Sequence, residues 1–339
     1  MEGISVRLYN KFEEEIVAMR EQSGVTVTGM MEGFGSIELV TTDPEPVVSW
    51  ADILMVVVPA FAHRLMAETC APFLRDGQIL ILNPGRTGGA LEFANTMRER
   101  GVRAQVTVAE AQTLVYACRR LGPALVRIAG IKKQVRLAAF PTTETAAVIE
   151  AVRPLYPQFR PAAHVLETSF DNIGAVFHPG TVVLNANRIE AGEDFEFYRS
   201  MTPSVTRFLE IIDQERLSVA RAFGVQLDSA REWLQKSYEG VVGGSLYERI
   251  HSNPAYEGIK APTSLAVRHL LEDVPTGLVP LSSLGALADV PTPACRAVTD
   301  ISCGLLDCDF WAEGRNAHNL GLSGMSVEEI RAFVTTKPS

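Results

Sequence analysis

His178, Arg268 and Asp273 are the residues of this 339-residue chain whose types and spacing suit a defined chemistry. His178 stands in the run Asn172-Ile173-Gly174-Ala175-Val176-Phe177-His178-Pro179, and Arg268 precedes Asp273 by five positions near the other end. An imidazole moves a proton near neutral pH, a carboxylate orients and charges it, and a guanidinium holds an acidic substrate through paired hydrogen bonds. Read by its neighbours alone, His178 before Pro179 is also a capping or core histidine. Asp273 after Glu272 is likewise a turn acid, and Arg268 a surface charge.

Residues this far apart in sequence need a scaffold that brings them together. Up to about residue 140, short apolar runs alternate with helical patterns. Ile53–Val58 and Gln78–Leu82 are continuous apolar runs, as expected of strands buried on both faces of a parallel sheet. A first strand is expected at Ile4–Leu8 and an acidic amphipathic helix at Lys11–Gln22. Helices are expected over Phe61–Leu74 and Gly88–Arg100, and further strands over Val106–Ala109, Ala124–Ala129 and Gln134–Phe140. This alternation predicts a doubly wound α/β domain. Pro154, Pro157 and Pro161 mark a linker within 152–166. Beyond it helix signals take over. Thr202-Pro203 opens a long amphipathic helix to about Phe223, ended by Gly224, and shorter helices follow over Ser229–Gln235, Leu281–Leu287 and Ala294–Leu306. The expected division is an α/β domain over 1–160 and a mainly α-helical domain over 161–339.

Ligands of such sheets bind past the carboxyl ends of the strands. Those ends read Val58-Pro59-Ala60, Asn83-Pro84-Gly85-Arg86-Thr87-Gly88-Gly89 and Glu110-Ala111-Gln112-Thr113. The glycines of the second let a backbone approach a ligand and open a helix N-terminus, although each stretch alone is also an ordinary strand-to-helix turn.

Composition narrows the class. Forty acidic against 31 basic residues give a net charge of −9, and no Lys/Arg cluster offsets it, which argues against a nucleic-acid surface. Cys70, Cys118, Cys295, Cys303 and Cys308 are odd in number, form no C-x-x-C and lack histidines at metal-ligand spacing. They are read as reduced, buried thiols with no metal site. The N-terminus has no basic-then-apolar leader, and the longest apolar run, Ile53–Ala62, is about half of a membrane span. A soluble, cytoplasmic protein is expected.

Several long motifs, in order along the chain, resemble the opine dehydrogenase family of the octopine/nopaline dehydrogenase type. They include Val57-Val58-Pro59-Ala60, Leu82-Asn83-Pro84-Gly85-x-Thr87-Gly88-Gly89-Ala90-Leu91-Glu92-Phe93 and Asn172-x5-His178-Pro179. Thr202-Pro203-Ser204-Val205, Asn253-Pro254-Ala255-Tyr256, Arg268-x4-Asp273-Val274-Pro275-x-Gly277-Leu278-Val279-Pro280 and Asp309-Phe310-Trp311-x-Glu313-Gly314-Arg315 complete the set. The resemblance implies an NAD(P)H-dependent reductive condensation of an amino acid with a 2-oxo acid, or its reverse. It also implies a Rossmann domain, a helical substrate domain resembling the C-terminal domain of 6-phosphogluconate dehydrogenase, and an active site between them. His178 would be the catalytic acid/base, Asp273 its carboxylate partner and Arg268 a substrate-carboxylate ligand. Asn10, Val58, Pro59, Asn83, Gly85 and Thr87 would lie along the dinucleotide, and Cys118 either lines the substrate pocket or is a buried thiol. His269 is a weaker rival base outside the motif, and His63, His164, His251 and His318 are read as structural or surface residues. A homodimer is possible on this reading.

The chain contains no G-x-G-x-x-G. Ile4–Leu8 is followed by Tyr9-Asn10-Lys11 and therefore reads as the second strand of a dinucleotide-binding unit, whose end meets the adenosine ribose. A first strand, glycine loop and helix, roughly 20–25 residues, would then precede Met1, with a start placed too far downstream as the favoured explanation. Weak dinucleotide binding and reduced stability are the expectation. Asn10-Lys11 in place of an acid leans towards NADP over NAD. The alternatives are a 2-hydroxy-acid or ketopantoate-type reductase that needs no amine, and an impaired homologue that only binds small molecules.

Overall fold

The computed structural model describes Gly3–Thr336. Its strands are β1 (Arg7–Tyr9), β2 (Gly24–Gly29), β3 (Gly33–Ser36), β4 (Leu39–Thr41), β5 (Ile53–Val56), β6 (Ile79–Leu82), β7 (Thr107–Ala111), β8 (Tyr116–Gly122), β9 (Leu125–Ile131), β10 (Val135–Phe140) and β11 (Phe159–Pro161). The principal sheet has the order β11-β10-β7-β6-β5. Its strands β5, β6 and β7 run parallel, in a register that sets Ile53 beside Ile79 and Leu82 beside Glu110, while β10 is antiparallel to β7.

The unbroken apolar runs follow from burial on both faces. Leu80 and Leu82 point into one core with Leu54 and Val56, whereas Ile81 joins a smaller core on the opposite face with Leu137, Val148 and Phe159. Helices α1 (Glu13–Glu21), α2 (His63–Cys70), α3 (Gly89–Glu99) and α4 (Thr145–Val152) belong to this half. The helical half is built from α5 (Val165–Phe170), α6 (Ile173–Val183), α7 (Pro203–Ala222), α8 (Ala230–Ser237), α9 (Arg268–Leu271), α10 (Val279–Leu287) and α11 (Pro293–Leu306), with shorter turns between them. Thr202 caps α7 by accepting the Val205 N–H at 3.3 Å, and Pro203 fills the first helical position, where a missing N–H costs nothing. The larger core is continuous from Leu80 and Leu82 through Phe93 of α3 to Phe170, Phe177 and Leu209 of the helical half. Apolar burial therefore locks the two halves together, and a site at their junction sits on a rigid frame.

Several expectations need correction. The expected strand Ile4–Leu8 is shifted to Arg7–Tyr9, with Ile4 and Val6 exposed and Ser5 bonded to Glu38 ahead of it. The helix expected over Phe61–Leu74 is confined to His63–Cys70, flanked by single tight turns, the second of which contains Pro72. The proline-rich linker contains β11, which pairs parallel with β10. An edge strand tolerates Pro161 because its outer side needs no ladder donor. Strands β2, β3 and β8 were not anticipated and join β9 in a separate four-stranded sheet, β3-β2-β9-β8. Strand β1 pairs in parallel with β4, and β5 with β6, but among the described residues no strand bridges β1 to β5. No helix among those residues is long and apolar enough to cross a membrane.

Candidate active site

His178 lies on α6, one turn after Gly174. The next position, Pro179, has no N–H, which frees the carbonyl four residues earlier from its helical bond. Asp273 lies two residues past the short α9, directly before the chain widens into a π turn over Val274–Leu278. The Asp273 carboxylate accepts from His178 Nδ1 at 2.7 Å. That bond assigns the Nδ1–H tautomer to a neutral imidazole, so Nε2 carries the lone pair. Nε2 is met by the Tyr198 hydroxyl at 3.0 Å. Burial raises the Tyr198 hydroxyl above its ordinary range, with the nearby Tyr238 and Asp273 adding to the rise, so it stays protonated and donates. Its ring stacks on Tyr256 with centroids 3.8 Å apart. Burial alone pushes the Asp273 carboxyl up, but the charges of His178 and Arg86 outweigh it and hold it below its ordinary value. Asp273 is therefore ionised at neutral pH.

Glu272 and two arginines lie beside this pair. Glu272 is buried, and its Oε1 accepts the Ala60 N–H at 3.0 Å while Oε2 accepts from Arg268 Nε at 2.7 Å. The Arg268 side chain is 66% exposed at the rim. Arg86 Nε approaches Glu272 Oε1 only to 3.7 Å, and its Nη1 donates to Asn172 at 3.3 Å. A Cβ added to Gly174 would stand 3.0 Å from Arg86 Nη1, 3.2 Å from Asp273 Oδ1 and 3.4 Å from His178 Cε1. Only glycine there lets the three groups converge. His269 also touches the site, with its ring 4.6 Å from that of His178 and stacked on Phe197. Burial, followed by the proximity of His178, pushes His269 down to about 4, so it is a neutral neighbour at pH 7.

The turn after β6 has a different role from the one its glycines suggest. Gly85 and Thr87 are buried against other parts of the protein, so neither presents a surface to a dinucleotide. A Cβ at Gly85 would meet Glu110 Oε2 at 2.5 Å. Glu110 itself takes the second amide of α3, accepting the Ala90 N–H at 2.8 Å, and so occupies the helix N-terminus that an anion would otherwise use. Burial raises the Glu110 carboxyl, against the hydrogen bonds it accepts from Thr168, Ala90 and Ser169. Thr87 donates to the Ser169 carbonyl at 3.1 Å. Buried Arg315 donates to the Gly85 and Thr87 carbonyls at 3.0 Å each and pairs with Glu92 at 2.7 Å. Its second terminal nitrogen reaches the Ala60 carbonyl at 2.9 Å and Nδ1 of His63 at 2.8 Å, and burial keeps that histidine neutral by holding it well below its ordinary value. The turn is a docking joint between the halves.

The other positions expected at a dinucleotide do lie at strand ends. Val58 and Pro59 follow β5 and are half-buried. Asn83 follows β6, and its Oδ1 is buried with no hydrogen-bond partner, an acceptor suited to a ligand amide. Asn10 follows β1, with its Oδ1 accepting the Phe12 N–H at 2.9 Å. Adjacent to β5 a cleft of about 420 Å³ opens between the two halves, lined by Ala60, Phe61, Leu271, Thr276 and Phe310 among others. Val58, Pro59 and Asn83 thus stand at strand ends, whereas Gly85 and Thr87 do not supply a phosphate cradle.

Cys118 does not join the site. It lies exposed on β8, an edge strand of the outlying sheet, opposite Ile128, and is neither a buried thiol nor in contact with His178. Of the other thiols Cys70 and Cys295 are buried, while Cys303 and Cys308 are partly exposed, so the expectation of five buried thiols holds for two. Arg86, Tyr198 and Asn172 were not singled out from the sequence. Arg86 lies inside the Asn83-to-Gly89 motif and Asn172 opens the His178 motif, so both had a signal. Tyr198 had none.

Comparison with known proteins places these residues in a family. Residues 161–306 match the family described as NAD/NADP octopine/nopaline dehydrogenase, alpha-helical domain. The opine dehydrogenase of Arthrobacter sp. (strain 1C) is 38% identical over 336 residues, covering 98% of this chain and 93% of that protein. The vitopine synthase of Allorhizobium ampelinum is 27% identical, covering 88% and 86% of the two chains. The fold resembles a solved octopine dehydrogenase with NADH and L-arginine, with a TM-score of 0.84 at 22% identity over all of this chain and 94% of that one.

Proposed function

The chain belongs to the opine dehydrogenase family, and from that premise we propose that it reductively joins an amino acid to a 2-oxo acid, giving a secondary-amine dicarboxylate. The observation that carries this reading is His178 held at both ring nitrogens, by Asp273 at 2.7 Å and Tyr198 at 3.0 Å, beside two guanidiniums. Condensation needs a base to take a proton from the amino acid's ammonium and an acid to return one to the oxygen that leaves as water. Nε2 of His178 does both in turn. It accepts the first proton while Asp273 stabilises the resulting imidazolium, then delivers it to the departing hydroxyl. Tyr198 donates to Nε2 when the ring is neutral and accepts from it when the ring is charged, so the imidazole stays oriented in both states. Arg268, at the rim, takes a substrate carboxylate.

A nicotinamide dinucleotide supplies the hydride when bound. Val58, Pro59 and Asn83 would hold its nicotinamide end and Asn10 its adenosine ribose. NADPH is the favoured form, because Asn10-Lys11 offers a neutral residue and a cation where an NAD-selective site carries an acid. The test is oxidation of NADPH or NADH with a panel of 2-oxo acids, each with and without amino acids. Turnover that requires the amino acid supports the reading. Amine-independent turnover identifies a 2-hydroxy-acid or ketopantoate-type reductase instead, and the absence of turnover with any pair contradicts both.

A further inference from the structure

Arg86 stands between Glu272 and Asn172, beside the His178–Asp273 pair. Its φ is +60°, in the left-handed region that a side chain enters at a cost of about 1–2 kcal/mol. The turn around it keeps Arg86 there, between the two halves. Its Nε is buried without a hydrogen-bond partner, as is Asp273 Oδ1 nearby. Glu272 does not satisfy it, because that carboxylate is committed to the Ala60 N–H and to Arg268. The single bond Arg86 makes is long, 3.3 Å to Asn172, and leaves Nη2 and Nε with no acceptor. Because Arg86 Nη1 and His178 Cε1 both lie within 3.4 Å of the space above Gly174, guanidinium and imidazole share one small region. Lys132 adds positive charge to the same side. It donates to Thr113 at 2.7 Å, and desolvation, helped by the charge of Arg86, pushes its ammonium down to about 8.

A half-buried guanidinium whose buried Nε has no hydrogen-bond partner, beside a proton-transfer group, implies an anionic ligand. The dicarboxylate product has two carboxylates, and the site has two arginines at different depths. In a 2-oxo acid the carboxylate is bonded directly to the reacting carbon, so its ligand must sit within a few ångströms of the group that moves the proton. Arg86 meets that condition beside His178, whereas Arg268 lies at the rim with its side chain 66% exposed. We propose that Arg86 binds the carboxylate of the 2-oxo acid, leaving Arg268 for the carboxylate of the amino acid. This assignment rests on the reaction proposed above.

The test is binding to the full-length chain by titration calorimetry. Oxamate, a non-reducible isostere of a 2-oxo acid, is compared with its neutral amide, oxamide. Charged hydrogen bonds of this kind predict that Arg86→Gln weakens oxamate binding about 10–100-fold while oxamide changes less than about twofold. Arg86→Lys should recover part of the loss, and equal melting temperatures of the three proteins would exclude a folding defect. Should Arg86→Gln melt early, Arg86→Lys alone decides, since it keeps the charge but loses the fork and must still weaken oxamate measurably. Oxamate bound equally by parent and variants, or lost on Arg268→Gln instead, would overturn the assignment. So would a parent that binds oxamate no better than oxamide. Failure of the reaction itself appears separately, as absent or amine-independent turnover in the cosubstrate panel.

Discussion

Gly174→Ala is a one-carbon change whose effect on activity should far exceed its effect on stability. In an exposed helix interior, alanine is more favourable than glycine by about 1 kcal/mol, and Gly174 sits in the first turn of α6 with ordinary helical φ. The added carbon, however, meets Arg86 Nη1 at 3.0 Å, Asp273 Oδ1 at 3.2 Å and His178 Cε1 at 3.4 Å. Comfortable contacts begin near about 3.5 Å, so Arg86 and Asp273 must move by a few tenths of an ångström, away from a His178 that is itself already in contact. The propensity gain and the crowding roughly offset, leaving global stability within about 1 kcal/mol of the parent. Proton transfer and carboxylate binding depend on the geometry being lost, so kcat/KM should fall about 10–100-fold, a loss of about 1.4–2.7 kcal/mol of transition-state stabilisation. The assay pairs initial rates of NAD(P)H oxidation with urea unfolding. Gly304→Ala, on α11 with nothing within 4 Å of its added carbon, is the control and should leave the rate unchanged. A Gly174→Ala enzyme with parental kcat/KM would refute the convergence of these groups at the reacting centre.

Three further outcomes follow from the same geometry. Asp273→Asn should lower kcat about 10²–10⁴-fold, because the uncharged amide neither stabilises an imidazolium nor fixes the Nδ1–H tautomer; single-turnover kinetics measure it. Arg315→Met should destabilise the fold by about 3–5 kcal/mol in denaturant unfolding, since it strands the Glu92 carboxylate and three backbone carbonyls at the joint between the halves. Asp171 carries a pH signature. Burial, partly offset by Arg216 and Arg136, raises its carboxyl to about 6. A raised acid favours the protonated native state, so the stability it contributes is full below about pH 4 and is lost as pH rises through about 6, a change of up to about 3 kcal/mol. Asp171→Asn should flatten that segment of the stability–pH curve and leave the protein more stable at pH 7, which urea titrations between pH 4 and 7 would record.

What the sequence disclosed depended on how local the determining physics was. Ile79–Leu82 was legible because burial on both faces demands four consecutive apolar residues, and α7 was legible because Thr202, Pro203 and Gly224 act through neighbours in the chain. The short strands β2 and β3 were not, since Gly24–Gly29 and Gly33–Ser36 are glycine-rich and β2 gains its order partly from pairing with a segment about a hundred residues away. His178 and Asp273 were found because their motifs bracket the site. Their hydrogen bond spans 95 residues and is a property of the fold. Tyr198 could not be found that way, as nothing around it distinguishes a tyrosine that meets an imidazole from one that fills a core. The glycines at 85 and 88 misled for a physical reason: a tight turn that admits a phosphate looks in sequence like one that admits the side chains of Glu110 and, from the helical half, Leu320.

The most direct measurement is mass spectrometry of the product formed from a 15N-labelled amino acid, a 2-oxo acid and NADPH or NADH by the parent and by His178→Asn. The account predicts a secondary amine that retains the 15N and the carbons of both substrates, formed by the parent and lost to the variant by a factor of about 10²–10⁴. A 2-hydroxy acid without nitrogen, or a labelled amine formed equally by both proteins, would contradict it.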